Sequence, residues 1–189
     1  MLNTKRSRVR AAAGVGMAAV VAAVGAVTFN ASAAEQSSVA VTAPDGKAVS
    51  IPGIAAAIKP PKGVKPLGAY VVTSGTQTYT CANGSFAGAS VPEAQLLGTG
   101  GRVHHFAGPS WQSTRDNSLV KAAKEAESAR AGTIPELLLK VTETSGTGVL
   151  SRATYINRLL TSGGTAPAGA CTNGEKKAVP YGAVYVFWR

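Results

Sequence analysis

The residues best suited to chemistry lie between His104 and Asp116. The stretch His104-His105-Phe-Ala-Gly-Pro-Ser-Trp111 brings two imidazoles within a few residues of the Ser110 hydroxyl, and the Asp116 carboxylate follows. A histidine can act as a general base toward a serine hydroxyl while an acid orients its ring. The sequence therefore offers His104, His105, Ser110 and Asp116 as candidate catalytic residues of a hydrolase.

The same stretch has a structural interpretation, which we favour. Adjacent residues of a strand face opposite sides, so the two histidines cannot bind one metal ion from a regular strand. We expect one histidine to be hydrogen-bonded in the core and the other to lie at the surface, with Trp111 in the core beyond a Gly-Pro turn. A nearby histidine, serine and acid are common in chains of 189 residues. No metal site is predicted.

Other catalytic patterns are weak in this sequence. Glu93, Asp116, Glu136 and Glu143 are the acids in structured positions, and none stands in a recognisable glycosidase context. The glycine-rich Gly98-Thr-Gly-Gly101 is followed by a strand-like run, and no acid stands about twenty residues later, so it does not predict a dinucleotide loop. We therefore expect no cofactor and no dehydrogenase activity.

Aromatic residues could form a binding face for a carbohydrate or another polymer. The candidates are Tyr79, Trp111, Tyr155 and Trp188. Because aromatic side chains also supply most of the buried area of a small core, the alternative is that these four are ordinary core residues. The sequence favours this alternative.

Short β-branched and aromatic runs alternate with glycine-containing turns along the second half of the chain. Residues 68–74 and 76–81, split by Gly75, predict a hairpin or a bulged strand pair, and Asn83-Gly84 predicts a turn. Residues 94–97 and 102–106 predict a second hairpin, and residues 137–142 and 155–161 two further strands. Residues 118–130 are rich in Ala, Lys and Glu, which favours helix over part of that segment.

The C-terminal run alternates between two apolar faces. Ala183, Tyr185 and Phe187 lie on one face and Val184, Val186 and Trp188 on the other, which predicts a strand that is covered on both sides. Together these elements predict a mainly β fold, an antiparallel β-sandwich or small barrel with at most one short helix.

The chain begins with a segment typical of export signals. Lys and Arg occupy four of the first ten positions, an uncharged run rich in Ala, Val and Gly covers residues 11–29, and Ala31-Ser32-Ala33 offers small residues to a signal peptidase. A membrane anchor is the alternative, but the run is weakly apolar and ends at a cleavage site. We expect residues 1–33 to be removed and the product to be secreted, with no transmembrane anchor.

The cysteines and the net charge of the mature protein restrict the functions that it can have. Cys81 and Cys171 are the only cysteines, and in an exported protein they most simply form one disulfide, with a metal site or a nucleophilic cysteine as alternatives. All nine acidic residues lie after the predicted signal peptide, so the mature protein carries only a moderate positive net charge. This charge favours weak attraction to an anionic cell-wall polymer or carbohydrate, and the absence of Lys/Arg clusters interleaved with aromatics argues against nucleic acid.

The composition divides the mature chain into two parts. Residues 34–63 are rich in Ala, Pro, Gly and Ser, and we interpret them as a flexible lead-in followed by an extended strap. Residues 64–189 carry the strand patterns and predict a single β-rich domain. The function predicted from these features is non-catalytic binding or cell-surface interaction, with the hydrolase as the alternative.

Several fragments resemble a known family when they are taken in order. They are Tyr79-Thr-Cys81, Pro92-Glu-Ala-Gln-Leu96, His105-Phe-Ala-Gly-Pro-Ser-Trp111, Ile134-Pro-Glu-Leu-Leu-Leu139, Tyr155-Ile-Asn-Arg158, Gly163-Gly-Thr-Ala-Pro167, Cys171 and Val179-Pro-Tyr181. This series resembles the secreted actinobacterial and fungal proteins of domain-of-unknown-function family 3455, over about residues 64–189. The resemblance implies export, one domain and a β-rich fold, and it carries no established activity.

Two positions depart from the family pattern. Phe86 stands where relatives often have Trp, and Glu136 follows Ile-Pro where Trp is common. Any function of the family that depends on an aromatic side chain at Glu136, or on an indole at Phe86, is therefore not expected here. Some relatives carry the label malate dehydrogenase, which the missing dinucleotide loop argues against in this chain.

Overall fold

Within the residues that the computed structural model describes, eight strands form one closed antiparallel barrel. The described residues are 39–42, 48–51 and 53–189, with side chains from Gly53 onward, so the predicted signal peptide lies outside them. The barrel strands are β3 (Pro66–Thr80), β4 (Val91–Gly98), β5 (Gly101–Phe106), β6 (Ser110–Ser113), β7 (Leu119–Ser128), β8 (Glu136–Ser145), β9 (Tyr155–Gly163) and β10 (Lys176–Trp188). Each strand pairs with the next in the chain, and β10 pairs with both β9 and β3. The prediction of a mainly β, antiparallel fold is confirmed, and the barrel is the alternative that the chain adopts.

The barrel core follows from the alternation of side chains along the strands. Tyr185 and Phe187 of β10 point inward, where they meet Trp111 of β6 and Tyr70 of β3. The rings contact one another edge to face, with centroids 5.3 Å apart for Tyr70 and Phe187, which is a favoured geometry for aromatic pairs. The inner face of β10 is therefore buried at the centre of the molecule.

The outer face of β10 is covered by the strap that precedes β3. Ile54 and Ile58 pack with Val186, Trp188 and Leu138 in a second apolar cluster outside the barrel. The strap contains a short 3-10 turn, η1 (Ala56–Ile58), which is the one helical element among the described residues. The C-terminal strand is thus covered on both sides, as its two apolar faces predicted.

Hydrogen bonds fix the strap to the barrel. The Asn157 side chain donates from Nδ2 to the Ile58 carbonyl oxygen at 2.9 Å, and its Oδ1 accepts from the Trp188 indole at 2.9 Å. Lys65 and Arg189 exchange two backbone hydrogen bonds of 2.8 and 2.9 Å. Asn157 is fully buried, so these bonds satisfy polar groups that have no access to water.

The expectation of helix within residues 118–130 is wrong, because β7 occupies Leu119–Ser128. Val120 and Ala122 point into the barrel core while the intervening Lys121 faces outward and pairs with Glu143 of β8. Closure of the barrel needs a strand between β6 and β8, and the backbone hydrogen bonds on both its edges outweigh the helical propensity of Ala, Lys and Glu.

Gly75 does not divide two strands, because β3 continues through it as a single strand of fifteen residues. The expected bulge is present nearby, as a register shift between Val72 and Ser74 against β4. Asn83-Gly84 forms the predicted turn, with φ of 53° and 74°, closed by paired backbone hydrogen bonds between Ala82 and Ser85.

The lead-in contains more regular structure than its composition indicated. Val39–Thr42 (β1) and Ala48–Ile51 (β2) form a two-stranded antiparallel sheet within the segment that we expected to be a flexible lead-in. Val39, Val41, Val49 and Ile51 are β-branched residues, which favour extended backbone.

A disulfide joins Cys81, just after β3, to Cys171 in the loop between β9 and β10. The predicted bridge is therefore confirmed. Cys81 is buried with Tyr79 and Phe86 in a third apolar cluster beside the barrel. No helix of the described residues has the length and apolarity that crossing a bilayer requires.

Candidate functional site

One end of the barrel contains a cavity of about 400 Å³, which we call the barrel-end cavity. It lies where β3 and β5 approach their ends and where β4, β6 and β8 begin. The side chains lining its apolar wall are Val91, Pro92, Pro109, Leu137, Leu139 and Tyr185. An eight-stranded barrel is wide enough inside to be filled by side chains or to hold one small ligand.

The opposite end of the barrel is filled by protein. Leu150 and Ala153, from the loop between β8 and β9, are buried in the core cluster there together with Tyr70. Tyr70 is almost fully buried there, and this burial raises the pKa of its hydroxyl. The described structure thus has an open end with the barrel-end cavity and a closed end.

His105 lines the cavity and is almost completely buried. Its ring stacks on the Trp111 indole, with centroids 4.3 Å apart and planes only 3° from parallel. Nδ1 lies 2.8 Å from the Ser110 carbonyl oxygen, which can only accept, so Nδ1 carries the proton and Nε2 is left as an acceptor. Burial, aided by the positive charge of Arg158, lowers the pKa of His105 to about 4, and the ring is therefore neutral at pH 7.

Two residues that line the cavity each have a buried N–H donor with no hydrogen-bond partner in the described part of the chain. The donors are Nε2 of Gln77 and Nε1 of Trp111, whose residues are 2% and 1% exposed. The Gln77 carbonyl oxygen is satisfied, since it accepts from the Ser90 hydroxyl at 2.6 Å, and this bond fixes the side chain at the cavity. A buried donor without a partner costs about 1–3 kcal/mol, and such groups are rare in native proteins.

Arg158 of β9 supplies a positive charge to the same cavity. Its Nε and Nη2 donate to the Pro135 carbonyl oxygen at 3.1 and 2.8 Å, which holds the guanidinium in place. Burial raises the pKa of Tyr185, and the nearby positive charge of Arg158 opposes that rise. Within the described residues no carboxylate forms an ion pair with Arg158, and neither Asp nor Glu lines the cavity.

The structure does not bring the predicted catalytic residues together. Ser110 contacts His105 through its backbone carbonyl oxygen, whereas catalysis would require its hydroxyl. Asp116 lies in the turn after β6, at the closed end, where its carboxylate accepts from Ser118 and from the Val149 backbone N–H. Burial raises the pKa of Asp116, but these hydrogen bonds outweigh it and lower the pKa to about 2.

His104 points to the outside of the barrel, opposite to His105. Its Nε2 lies 2.6 Å from a carboxylate oxygen of Glu93, and both side chains are partly or largely exposed. The two histidines therefore face opposite sides of β5, as adjacent residues of a strand must.

The four aromatic candidates for a binding face lie in different parts of the molecule. Trp111 borders the cavity, and Tyr79 is buried with its hydroxyl donating to the Gly164 carbonyl oxygen at 2.7 Å. Tyr155 and Trp188 belong to the outer cluster beneath the strap. They do not form one surface, and Trp111 alone of the four borders the cavity.

The acids proposed for paired-carboxylate chemistry are also dispersed. Besides Glu93 and Asp116, Glu136 accepts from the Leu160 backbone N–H at 2.7 Å and Glu143 pairs with Lys121 at 3.0 Å. The part of the chain that the structure describes contains no group of three or more His, Cys, Asp or Glu side chains that could hold a metal ion.

Sequence reasoning did not identify Gln77 and Arg158. Each stands in a strand whose same-face neighbours are apolar or aromatic: Tyr79 follows Gln77 by two positions, and Ile156 precedes Arg158 by two. A polar residue on an otherwise buried face is the signal that could have found them, because such a position requires a partner.

The comparison with protein families gives one match. The model of a family described as protein of unknown function (DUF3455) matches residues 97–189, which supports the family resemblance over β5 to β10 and the end of β4. Neither a curated protein nor a solved structure matches the chain.

Proposed function

We propose that the protein is a non-catalytic binding protein that is exported from the cell and holds a small molecule in the barrel-end cavity. The observation that carries the proposal is a cavity of about 400 Å³ lined by two residues, Gln77 and Trp111, that each have a buried N–H donor without a partner among the described residues. Ligand cavities of this size are lined mainly by apolar side chains with a few polar groups that orient the ligand.

The cost of the two donors supports a binding role. The fold removes each N–H from bulk water, and no described side chain or carbonyl oxygen accepts a hydrogen bond from it. A ligand with hydrogen-bond acceptors would remove this cost. Because the two donors are already out of water in the unbound protein, binding would not have to desolvate them. The rigid β-strands that carry Gln77 and Trp111 further reduce the entropy that binding must overcome.

The arrangement of His105 supports binding rather than hydrolysis. The ring is neutral and stacked, and its Nδ1 is occupied by a backbone carbonyl oxygen instead of an orienting carboxylate. The Ser110 hydroxyl is not a hydrogen-bond partner of His105, and Asp116 belongs to the closed end. We therefore do not retain the hydrolase as a proposal.

Export is supported by the disulfide, which is compatible with an oxidising compartment outside the cell. The anionic cell-wall polymer or carbohydrate predicted from the charge of the chain stays a prediction. If such a polymer is the partner, only an end group of it could enter a cavity of this size.

Fluorescence provides the test, because the protein has only two tryptophans and they lie in different places. In a Trp188→Phe variant, Trp111 at the cavity is the sole indole. We expect N-phenyl-1-naphthylamine, or its sulfonated relative 8-anilinonaphthalene-1-sulfonate, to quench this indole saturably with one-site stoichiometry. In a Trp111→Phe variant the remaining Trp188, in the outer cluster, should not respond.

Gln77→Leu separates a binding role of Gln77 from a structural one. We expect the variant to lose little stability, because a buried unsatisfied donor is removed together with the hydrogen bond from Ser90, and to bind 8-anilinonaphthalene-1-sulfonate more weakly, because its sulfonate can accept from that donor. Gln112→Leu is the control and should leave binding unchanged, because Gln112 is the partly exposed residue that follows Trp111 in β6. Saturable binding by neither probe, or a large loss of stability in Gln77→Leu with unchanged binding, would overturn the proposed function.

A further inference from the structure

We infer that the ligand of the barrel-end cavity carries an oxyanion, such as a carboxylate, on an apolar body, and that Arg158 is the residue that selects it. This inference rests on the proposed function and specifies its ligand class. The charge, the donors and the walls of the cavity each contribute one part of the argument.

The first part is the unbalanced charge. Arg158 lies in the cavity wall, partly buried; its hydrogen-bond partner is neutral, the Pro135 carbonyl oxygen, and no carboxylate of the described residues forms an ion pair with it. A cation that is partly withdrawn from water and forms no ion pair is less well stabilised than a paired one, since buried charges in proteins are normally paired. An anionic ligand would supply the missing partner.

The second part is the polarity of the buried groups that lack a partner, since the other polar lining residues, Ser90 and His105, already form hydrogen bonds. Gln77 Nε2 and Trp111 Nε1 are both donors, so they complement an acceptor and would repel no negative charge. Charge-assisted hydrogen bonds from N–H to an oxyanion are about twice as strong as those to a neutral acceptor. A carboxylate has two oxygens, each of which can accept hydrogen bonds, so it suits a cavity whose lining residues offer several donors.

The third part is the remainder of the surface. Apart from these donors, the cavity presents mainly aliphatic side chains and rings, including Leu137, Leu139, Pro92 and Tyr185. Such walls favour an apolar body, at about 25 cal/mol for each Å² removed from water. A small inorganic anion would leave this surface uncovered, so the geometry points to an organic acid.

The decisive experiment compares 2-naphthoate with 2-naphthamide, which have the same shape and differ in charge. Isothermal titration of the wild-type protein at pH 7 should show at least tenfold tighter binding of the acid. In Arg158→Gln this preference should disappear, through weaker binding of the acid and nearly unchanged binding of the amide. Arg152→Gln, at an exposed arginine outside the cavity, is the matched control and should behave like the wild type.

A second variant keeps the test valid if Arg158→Gln does not fold. Gln77→Glu keeps the shape of the side chain but replaces the donor with a negative charge. It should weaken the binding of the acid at least tenfold more than the binding of the amide. Equal affinity of the wild type for the acid and the amide would overturn the inference that the ligand carries an oxyanion. It would not affect the proposed binding function. If the two naphthalene dyes also fail to bind, the proposed function itself is overturned.

Discussion

The His105 ring lies between two aromatic neighbours, the Trp111 indole on which it stacks and the Tyr185 ring that it meets edge-on at 5.2 Å. With Nδ1 bound to the Ser110 carbonyl oxygen, the side chain acts as a rigid part of the cavity wall. This burial excludes water from the imidazole, and the cation of Arg158 acts in the same direction. Both effects disfavour the protonated ring, so the stability of the protein should depend on pH through this residue.

The sign of that dependence follows from the pKa values. His105 has a pKa of about 4 in the folded protein and about 6.5 when unfolded, so the unfolded state binds more protons between these values. The stabilisation is complete above pH 6.5 and is lost as the pH falls toward 4. The loss in the free energy of unfolding should reach about 3 kcal/mol. Urea denaturation at pH 7, 5.5 and 4 would measure it, and His105→Gln should lack this component.

His104 provides the matched control because it is the neighbouring residue on the outer face of β5. His104→Gln removes an imidazole that is exposed and paired with Glu93, and it should retain the His105 component of the pH dependence. A His105→Gln variant that loses stability with acid as steeply as the wild type would show that His105 is protonated without cost in the folded state.

The sequence predicted that one of the two adjacent histidines is hydrogen-bonded in the core, with Trp111 also in the core, but not which one. The structure places His105 there, with the Ser110 carbonyl oxygen as its partner. Gln77 and Arg158 could not be assigned to the same cavity, because they are 81 positions apart on strands that meet only through β10. Their proximity is a property of barrel closure, which no local pattern encodes.

The strands show where local propensity and tertiary context disagree. The alternation of β10 was strong enough to predict both of its covered faces, because each face carries large apolar residues. The sequence of β7 is dominated by Ala, Lys and Glu, which have helical propensity and mark neither face clearly. Its strand conformation is imposed by hydrogen bonding to β6 and β8 on its two edges.

Gly75 is a position in β3 where the neighbouring side chains leave no room for a Cβ atom. A Cβ atom there would lie 2.8 Å from Tyr181 Cε1 and from Val72 Cγ1, and 3.1 Å from the Ala94 Cβ. Gly75→Ala should therefore lower the free energy of unfolding by about 1–3 kcal/mol, the usual cost of overpacking a core. Chemical denaturation at pH 7 would measure this loss.

Gly88 is the control for that substitution. Nothing lies within 4 Å of a Cβ placed on Gly88, which is exposed, so Gly88→Ala should leave stability unchanged or raise it slightly. Equal effects of the two alanine substitutions would mean that β3 accommodates the extra methyl group and that Gly75 is not required by its neighbours.

The molecule as a whole is a closed barrel tied at two places. The Cys81–Cys171 bridge has a sequence separation of 90 residues, and the chain-entropy estimate for a loop of this length is about 4–5 kcal/mol. The strap adds a second tie, because it packs against β8, β9 and β10, and Lys65, which follows it, forms two backbone hydrogen bonds with Arg189. The strap is therefore part of the fold, although its Pro- and Ala-rich composition marked it as a separate segment.

The contribution of the strap can be measured by shortening the chain. Protein that begins at Gly53 keeps Ile54 and Ile58, whereas protein that begins at Val64 loses both and uncovers Trp188 and Val186. Burial of a large aliphatic side chain contributes about 1.5–3 kcal/mol, so the shorter protein should lose about 3–6 kcal/mol in the free energy of unfolding. Protein from Gly53 should match protein from Ala34. If the shortest form cannot be produced, Ile58→Ala should lose about 2–5 kcal/mol by the same burial. Equal stability of all forms would place the boundary of the folded domain at residue 64 and make the strap a peripheral segment.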